Sequence, residues 1–182
     1  PASAAANSLE TLDAELARDL RAIPFSSTAT INVAYQRRDI AHPLDGYGFV
    51  VPHTEGRNIT ACTFSSVKYA GRAPKDIALL RCFAGGVLQP DLLKQSDEAL
   101  ELQVREDLEA LLGISSPPIL SRTTRYPDCM PQYNVGHLSR VEEINARLKH
   151  FPTLALAGKS YRGVGIADCI FSGETAAEDI LR

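Results

Sequence analysis

Apolar residues recur at helical and strand spacings along almost the whole chain, and their periods divide it into a series of elements. Leu9, Leu12, Leu16, Leu20 and Ile23 repeat every three or four positions. A first helix is therefore expected behind an Asn7 or Ser8 cap, ending at Pro24. From Thr28 to Tyr35 the period becomes two, with Ala29, Ile31, Val33 and Tyr35 on one side and Thr28, Thr30, Asn32 and Ala34 on the other. That is the pattern of a half-buried strand. A turn over His42 to Gly46 feeds a short apolar strand that stops at Pro52. Arg57 to Ser66 and Ile77 to Ala84 read as two more strands, parted by a loop at Gly71 to Pro74 and closed by Gly85-Gly86.

Ser96 is placed to cap a long helix, with Asp97 and Glu98 at its positive end and Gly113 just past its last turn. Leu100, Val104, Leu108 and Leu111 form its expected buried stripe. After Pro117-Pro118, Ile119 to Tyr126 reads as a strand, and Leu138, Val141, Ile144 and Leu148 mark another helix. Leu154-Ala155-Leu156-Ala157 reads as a buried strand entering a Gly-rich loop, with a helix from about Gly165 to Leu181. The expected fold class is α+β: a mixed or antiparallel sheet with helices, followed by a strand–loop–helix unit.

Composition narrows the classes without choosing a function. Apolar residues make up 45% and charged residues 23%, which argues against disorder, collagen-like repeats and low complexity. A chain of 182 residues suits one domain or two small ones. The 22 acidic and 19 basic residues leave a net charge of −3, which offers nucleic acid no basic footprint. Apolar runs fall well short of the ~20 residues that span a bilayer. The Ala/Ser-rich start lacks the basic and apolar regions of a secretory leader. The chain opens on Pro1, and Met130 is its single Met, so it reads as a piece of something longer.

Cys62, Cys82, Cys129 and Cys169 form no C-x-x-C, and no His stands at ligand spacing from them, so no metal site is expected. Cys62 and Cys82 sit in strand-like runs and are expected to be buried, inert thiols. Free thiols suit a reducing compartment, and a cytoplasmic location is expected. His42, His53, His137 and His150 are isolated and read as surface or capping residues. Asp107, Glu109, Glu142 and Glu143 read as solvated helix faces.

Two glycine motifs fail in detail. Ala157-Gly158-Lys159-Ser160 resembles the end of a phosphate-binding loop, but Thr153 stands where its first glycine belongs. Gly163-Val164-Gly165 and Gly46-Tyr47-Gly48 begin a G-x-G, yet Asp168 and Val51 occupy the third-glycine positions. What remains is a Gly-rich loop delivered to a helix N-terminus. Such an end suits a phosphate or the N1–C2=O edge of a flavin, and a plain strand–helix turn suits it equally.

Several segments in order carry a family resemblance: Pro43-Leu44-Asp45-Gly46-Tyr47-Gly48-Phe49-Val50-Val51-Pro52, Phe64-Ser65-Ser66, Gly85-Gly86, Met130-Pro131-Gln132-Tyr133-Asn134-Val135-Gly136-His137, and Leu156 to Ile170. From about Ala5 to Leu181 the chain resembles the C-terminal part of the oxygen-dependent protoporphyrinogen oxidases, FAD enzymes of the amine-oxidase superfamily. The resemblance implies a leading helix at 1–24, part of a substrate-binding domain at 25–151, and at 152–182 a segment returning to an FAD-binding domain. By motif match, Val164, Gly165 and Ile166 fall where the family contacts the flavin, with Lys159 nearby. Lys159 replaces the small or Asn residue the family pattern carries. Tyr47, Gly48 and Val50 match the element lining the tetrapyrrole pocket, and Phe64 and Phe83 match further wall positions.

The N-terminal half, with its G-x-G-x-x-G unit and the substrate-carboxylate Arg, has no counterpart in this sequence. The expected partners are accordingly a porphyrinogen, dioxygen and that missing half. The isolated piece is expected to lack activity, and peripheral membrane attachment stays open. The implied reaction passes a hydride from a saturated bridge carbon to the flavin, and no side chain here stands out as a general base. Coproporphyrinogen III as substrate, and a non-catalytic porphyrin-binding module, are the alternative readings.

Overall fold

Alternating side chains organise one of the two units into which the chain divides: Ser26–Asp128 on one hand, and Pro1–Phe25 with Cys129 onward on the other. The structure, a computed structural model, describes residues 1–181. Its strands are β1 (Phe25–Gln36), β2 (Gly48–Val50), β3 (Ile59–Phe64), β4 (Ile77–Gly85) and β5 (Leu120–Pro131). Its helices are α1 (Ala2–Leu9), α2 (Ala14–Arg21), α3 (Ser65–Lys68), α4 (Asp97–Leu112), α5 (His137–Leu148) and α6 (Ile166–Leu181). The strands form one sheet in the order β2-β3-β4-β1-β5. β2–β3, β3–β4 and β4–β1 are antiparallel. At the β1–β5 edge the Ala34 carbonyl accepts from Ile119 N–H at 2.8 Å, and seven residues earlier the Ser27 hydroxyl accepts from Asp128 N–H at 2.9 Å. Residue numbers therefore run in opposite senses there too.

Register puts Ile31, Cys62 and Cys82 side by side. With Val33, Phe64 and Leu80 they make one buried face, packed with Leu100, Val104, Leu108 and Leu112 of α4. The two thiols are buried as expected, and the Cys62 hydrogen bond together with burial pushes the Cys82 thiol well above its ordinary pKa. α4 is capped by the Ser96 hydroxyl, which accepts from Ala99 N–H, and it ends at Gly113 in the left-handed region. Its stripe finishes on Leu112, while Leu111 is exposed. At its start Arg125 of β5 pairs with Asp97 at 2.7 Å and donates to the Leu93 and Gln95 carbonyls. Gly48 has φ +140°, and a Cβ there would lie 2.1 Å from the Cys62 carbonyl oxygen. The close approach of β2 to β3 thus requires glycine.

Asp107 departs from the solvated-face expectation. It is 3% exposed and accepts from the backbone N–H groups of Asn58 and Ile59 at 2.7 and 3.0 Å, with Arg57 3.7 Å away. A period of 3.6 does put position 107 beside the buried stripe. Its carboxylate serves donors at the start of β3 that would otherwise be buried unpaired.

In the other unit the single N-terminal helix is two. Asp13 interrupts it and caps α2 by accepting from Glu15 and Leu16 N–H at 2.9 Å, which leaves Leu12 exposed. Leu16, Ala17 and Leu20 pack with Ala2, Ala6, Leu9 and Ile23, and with Val141, Ile144 and Leu148 of α5. Arg147 of α5 reaches Glu15 at 2.7 Å and Asp19 at 2.9 Å on α2. Residues 129–151 thus group with the last segment. Leu154–Ala157 is irregular where a strand was expected. A strand needs a ladder partner, and among the described residues every strand belongs to the sheet above.

Replacing Asp107 with Ala should lower unfolding stability by about 2–3 kcal/mol, because the Asn58 and Ile59 N–H groups lose a charged, buried acceptor. Asp107→Asn, which keeps an acceptor oxygen, should lose less. Chemical denaturation of both variants checks the order, and equal, negligible losses would contradict it.

Candidate functional site

The loop that delivers α6 is held by the segment preceding α5. Gly136, in the left-handed region, turns the chain into α5 and sets Tyr133 beneath His137. The two rings stack at 4.0 Å with 12° between their planes. Tyr133 O–H donates to the Lys159 carbonyl at 2.6 Å, and His137 Nε2 bonds the Tyr161 carbonyl at 2.8 Å. Burial, then the nearby Cys169 and Asp168, raises the Tyr133 phenol, so it remains the donor. Burial alone pushes the Tyr161 phenol up to about 12. Ser160, also buried, accepts from Ala2 N–H at 3.0 Å. His137 is buried rather than a surface residue, and its Nδ1 has no partner among the described residues.

Beyond this anchored stretch the loop turns at Gly163, φ +74°, and ends at Gly165. The Asp168 carboxylate folds back to accept from Gly165 N–H at 3.1 Å, the return arm of a helix cap. A Cβ on Gly163 or Gly165 would lie 2.5 or 2.8 Å from that carboxylate, so the glycines are required by the cap itself. The plain-turn reading accounts for the glycines. It does not account for what surrounds them. Val164, Gly165 and Ile166 are all exposed, Ile166 at 84%, and no residue of the sixteen-residue α6 is buried. Ile166, Ile170, Ala177 and Leu181 follow a helical period and are all exposed. An apolar stripe at this period is the mark of a packed helix.

The strip therefore fits a flavin edge in two respects: side-chain-free backbone at Gly165 between two exposed aliphatic residues, and a rigid mounting. The helix dipole at this end is already partly answered by Asp168. Lys159 is half-buried, and its carbonyl, through Tyr133, is the part tied into the structure. On the flank of α6 lies a cleft of about 730 Å³ lined by Val141, Leu148, Phe151, Leu156, Tyr161 and Phe171 among others. Val164, Gly165 and Ile166 lie outside its lining, but Gly163 and Asp168 on either side of them belong to it, so the cleft borders the strip.

The matched wall residues belong to the sheet unit, and register sorts them. Val50, Ala61, Phe83 and Thr30 form one cross-strand row, and Gly48, Thr63, Arg81 and Asn32 the next. Both rows lie on the face opposite the α4 core. Val50 and Gly48 are exposed there and Phe83 is half-exposed. Phe64 does not join them: it is 3% exposed, lies in the core and meets Phe49 edge-on at 6.0 Å. Alternation along β3 puts it on the core side, so its role is packing. Tyr47 is exposed at the start of β2, its carbonyl accepting from Phe64 N–H.

In the sequence, the i, i+4 spacing of Tyr133 and His137 around a turning glycine is the sign of their paired role. Arg81 and Asn32 carried no sign beyond strand alternation.

The model of the family described as flavin containing amine oxidoreductase matches residues 1–181. The chain is 34% identical over 157 residues to coproporphyrinogen III oxidase of Staphylococcus aureus, covering 86% of this chain and 34% of that protein. It is 33% identical to the Bacillus subtilis protein of the same name, covering all of this chain and 38% of the relative. To human protoporphyrinogen oxidase it is 32% identical, covering all of this chain and 39% of the relative. Among solved structures, an Exiguobacterium protein provisionally assigned as a protoporphyrinogen oxidase superposes with a TM-score of 0.78 at 34% identity, over 90% of this chain and 36% of that one. The chain thus spans about a third to two-fifths of these relatives.

Tyr133→Phe keeps the ring stack and removes the bond to Lys159, which should cost about 1 kcal/mol. His137→Ala, which leaves the Tyr161 carbonyl unpaired and opens a cavity, should cost more. Both should speed amide hydrogen exchange between Lys159 and Gly165. Unchanged exchange in both variants would show that the loop is held some other way.

Proposed function

The chain belongs to the flavin containing amine oxidoreductases, and from that premise we propose that it is the C-terminal portion of an FAD-dependent oxidase acting on a porphyrinogen. The observation that carries this reading is the anchored, exposed strip Val164–Gly165–Ile166 at the head of a helix with no buried residue. Protoporphyrinogen IX and coproporphyrinogen III are the candidate substrates, since the relatives bear both names.

The chemistry a bound flavin supplies is acceptance of a hydride from a saturated bridge carbon, with dioxygen as the final acceptor. The residues of this chain have positioning tasks. Val164 and Ile166 would pack against the flavin edge, and Gly165 would let the backbone approach it closely. Tyr133 and His137 hold the loop carbonyls so that the strip keeps its place when the flavin is bound. Gly48, Val50 and Phe83 offer the porphyrinogen a flat, largely apolar wall, with Tyr47 at its margin. None of the residues placed against the flavin or the ring carries a strong base, and the imidazole of His137 is buried and committed to the Tyr161 carbonyl, so their contribution is orientation and exclusion of water. The rest of the exposed stripe of α6, Ile170, Ala177 and Leu181, is covered by the N-terminal part of the same protein.

Ile166→Asp in the full-length protein tests the flavin contact. An acid in the first turn suits the positive helix end, so folding should be unharmed. FAD affinity should fall by at least about tenfold as the charge is forced against the flavin edge. Equilibrium dialysis with FAD and a thermal melt of the flavin-free protein separate the two effects. Undiminished FAD affinity would overturn the assignment.

A further inference from the structure

One residue on the open sheet face is built differently from the wall around it. In β4 the alternation sends Ala78, Leu80, Cys82 and Ala84 to the core and leaves Ile77, Leu79, Arg81 and Phe83 on the other face. Arg81 is the charged member of that strand, and it is exposed. Its register partners are Thr63 on β3 and Asn32 on β1. Its Nε donates to Asn32 Oδ1 at 3.1 Å, which fixes the plane of the guanidinium through a neutral acceptor. Among the described residues no ion pair is formed by Arg81, whereas Arg57 is paired with Asp107 and Arg125 with Asp97. A guanidinium held at Nε keeps its two terminal nitrogens for a bidentate contact. It stands beside Phe83, two positions along the same strand, and one strand over from Thr63, the partner of Gly48.

A cation with an oriented, uncommitted fork on an otherwise apolar and hydroxyl-bearing wall suits a flat apolar ligand with a carboxylate at its rim. Coproporphyrinogen III keeps propionate side chains where protoporphyrinogen IX has vinyl groups. Resting on the porphyrinogen reading above, we propose that Arg81 is a specificity-determining residue that binds a propionate carboxylate present in coproporphyrinogen III and absent from protoporphyrinogen IX. Asn32 is its positioning residue, and Phe83 and Val50 meet the ring system next to it.

The test uses the full-length protein with wild-type, Arg81→Met and Arg81→Lys forms. KM and kcat are measured with both porphyrinogens, and the affinities for coproporphyrin III and protoporphyrin IX are followed by fluorescence. Met keeps the unbranched stem of the side chain and removes the guanidinium and its charge. It should raise KM and Kd for the copro compounds by about ten- to a hundredfold, the loss expected for a charged bidentate contact. The corresponding values for the proto compounds should move far less, and kcat should stay within about twofold. Lys should restore part of the difference. Equal shifts for both series, or none, would overturn the assignment, as would a wild type that oxidises only protoporphyrinogen. A wild type that oxidises neither porphyrinogen would instead overturn the function on which the assignment rests.

Discussion

Two backbone carbonyls, those of Lys159 and Tyr161, decide where the last helix begins. Each faces a side chain at the start of α5: the hydroxyl of Tyr133, in the turn before it, and Nε2 of His137, its first residue. A loop rich in glycine would otherwise sample many conformations, because glycine gains the most freedom when unfolded. Fixing two carbonyls within three residues removes most of that freedom just ahead of Gly163 to Gly165. The Asp168 cap then fixes the remaining turn from the other side. The strip is thus rigid without any of its own side chains being buried, a useful condition for residues whose surfaces must stay available. The same bonding also joins the segments around Tyr133 and Lys159, far apart in sequence. They are two halves of one hydrogen-bonded unit.

The sheet unit solves a different problem. Its strands carry a core on one face only, so every register error would exchange core for solvent. Gly48 holds β2 close against β3, and Asp107 receives the first donors of β3. These contacts set which residues share the open face, and hence whether Val50, Phe83 and Arg81 stand together. A buried carboxylate far from the wall in sequence therefore controls the wall's composition.

Much of this was legible from periodicity. The β1 face, the cap and terminator of α4, and the α6 boundary all follow from side-chain spacing and cap chemistry, which are local. The departures share a cause. Leu154–Ala157 has strand-like composition, but strand formation depends on a neighbour that local composition does not report. Asp107 and His137 are polar residues whose burial depends on which backbone groups the tertiary fold brings within reach. Phe64 matched a wall position by order in the chain, yet alternation from Cys62 already assigned it to the core side. Asp13 could have been read as a cap, since Leu12 and Leu16 allow a break between them without losing the apolar stripe.

The two exposed surfaces of the chain differ in kind, and the difference indicates what covers each. Along α6 beyond the flavin strip, Ile170, Ala177 and Leu181 present aliphatic surface, with Glu174 at its margin. Such a stripe gains from any close-packed apolar partner and specifies little about its chemistry, which suits burial against protein. The open sheet face mixes Val50, Ala61 and Phe83 with Thr63, Asn32 and Arg81. Burying that face permanently against apolar protein would strand a guanidinium whose only fixed partner among the described residues is a neutral amide, at a steep desolvation cost. A ligand with both a flat apolar body and a rim carboxylate removes that conflict. The surface that demands a partner of particular chemistry is therefore the sheet face, and the surface that demands only coverage is the helix.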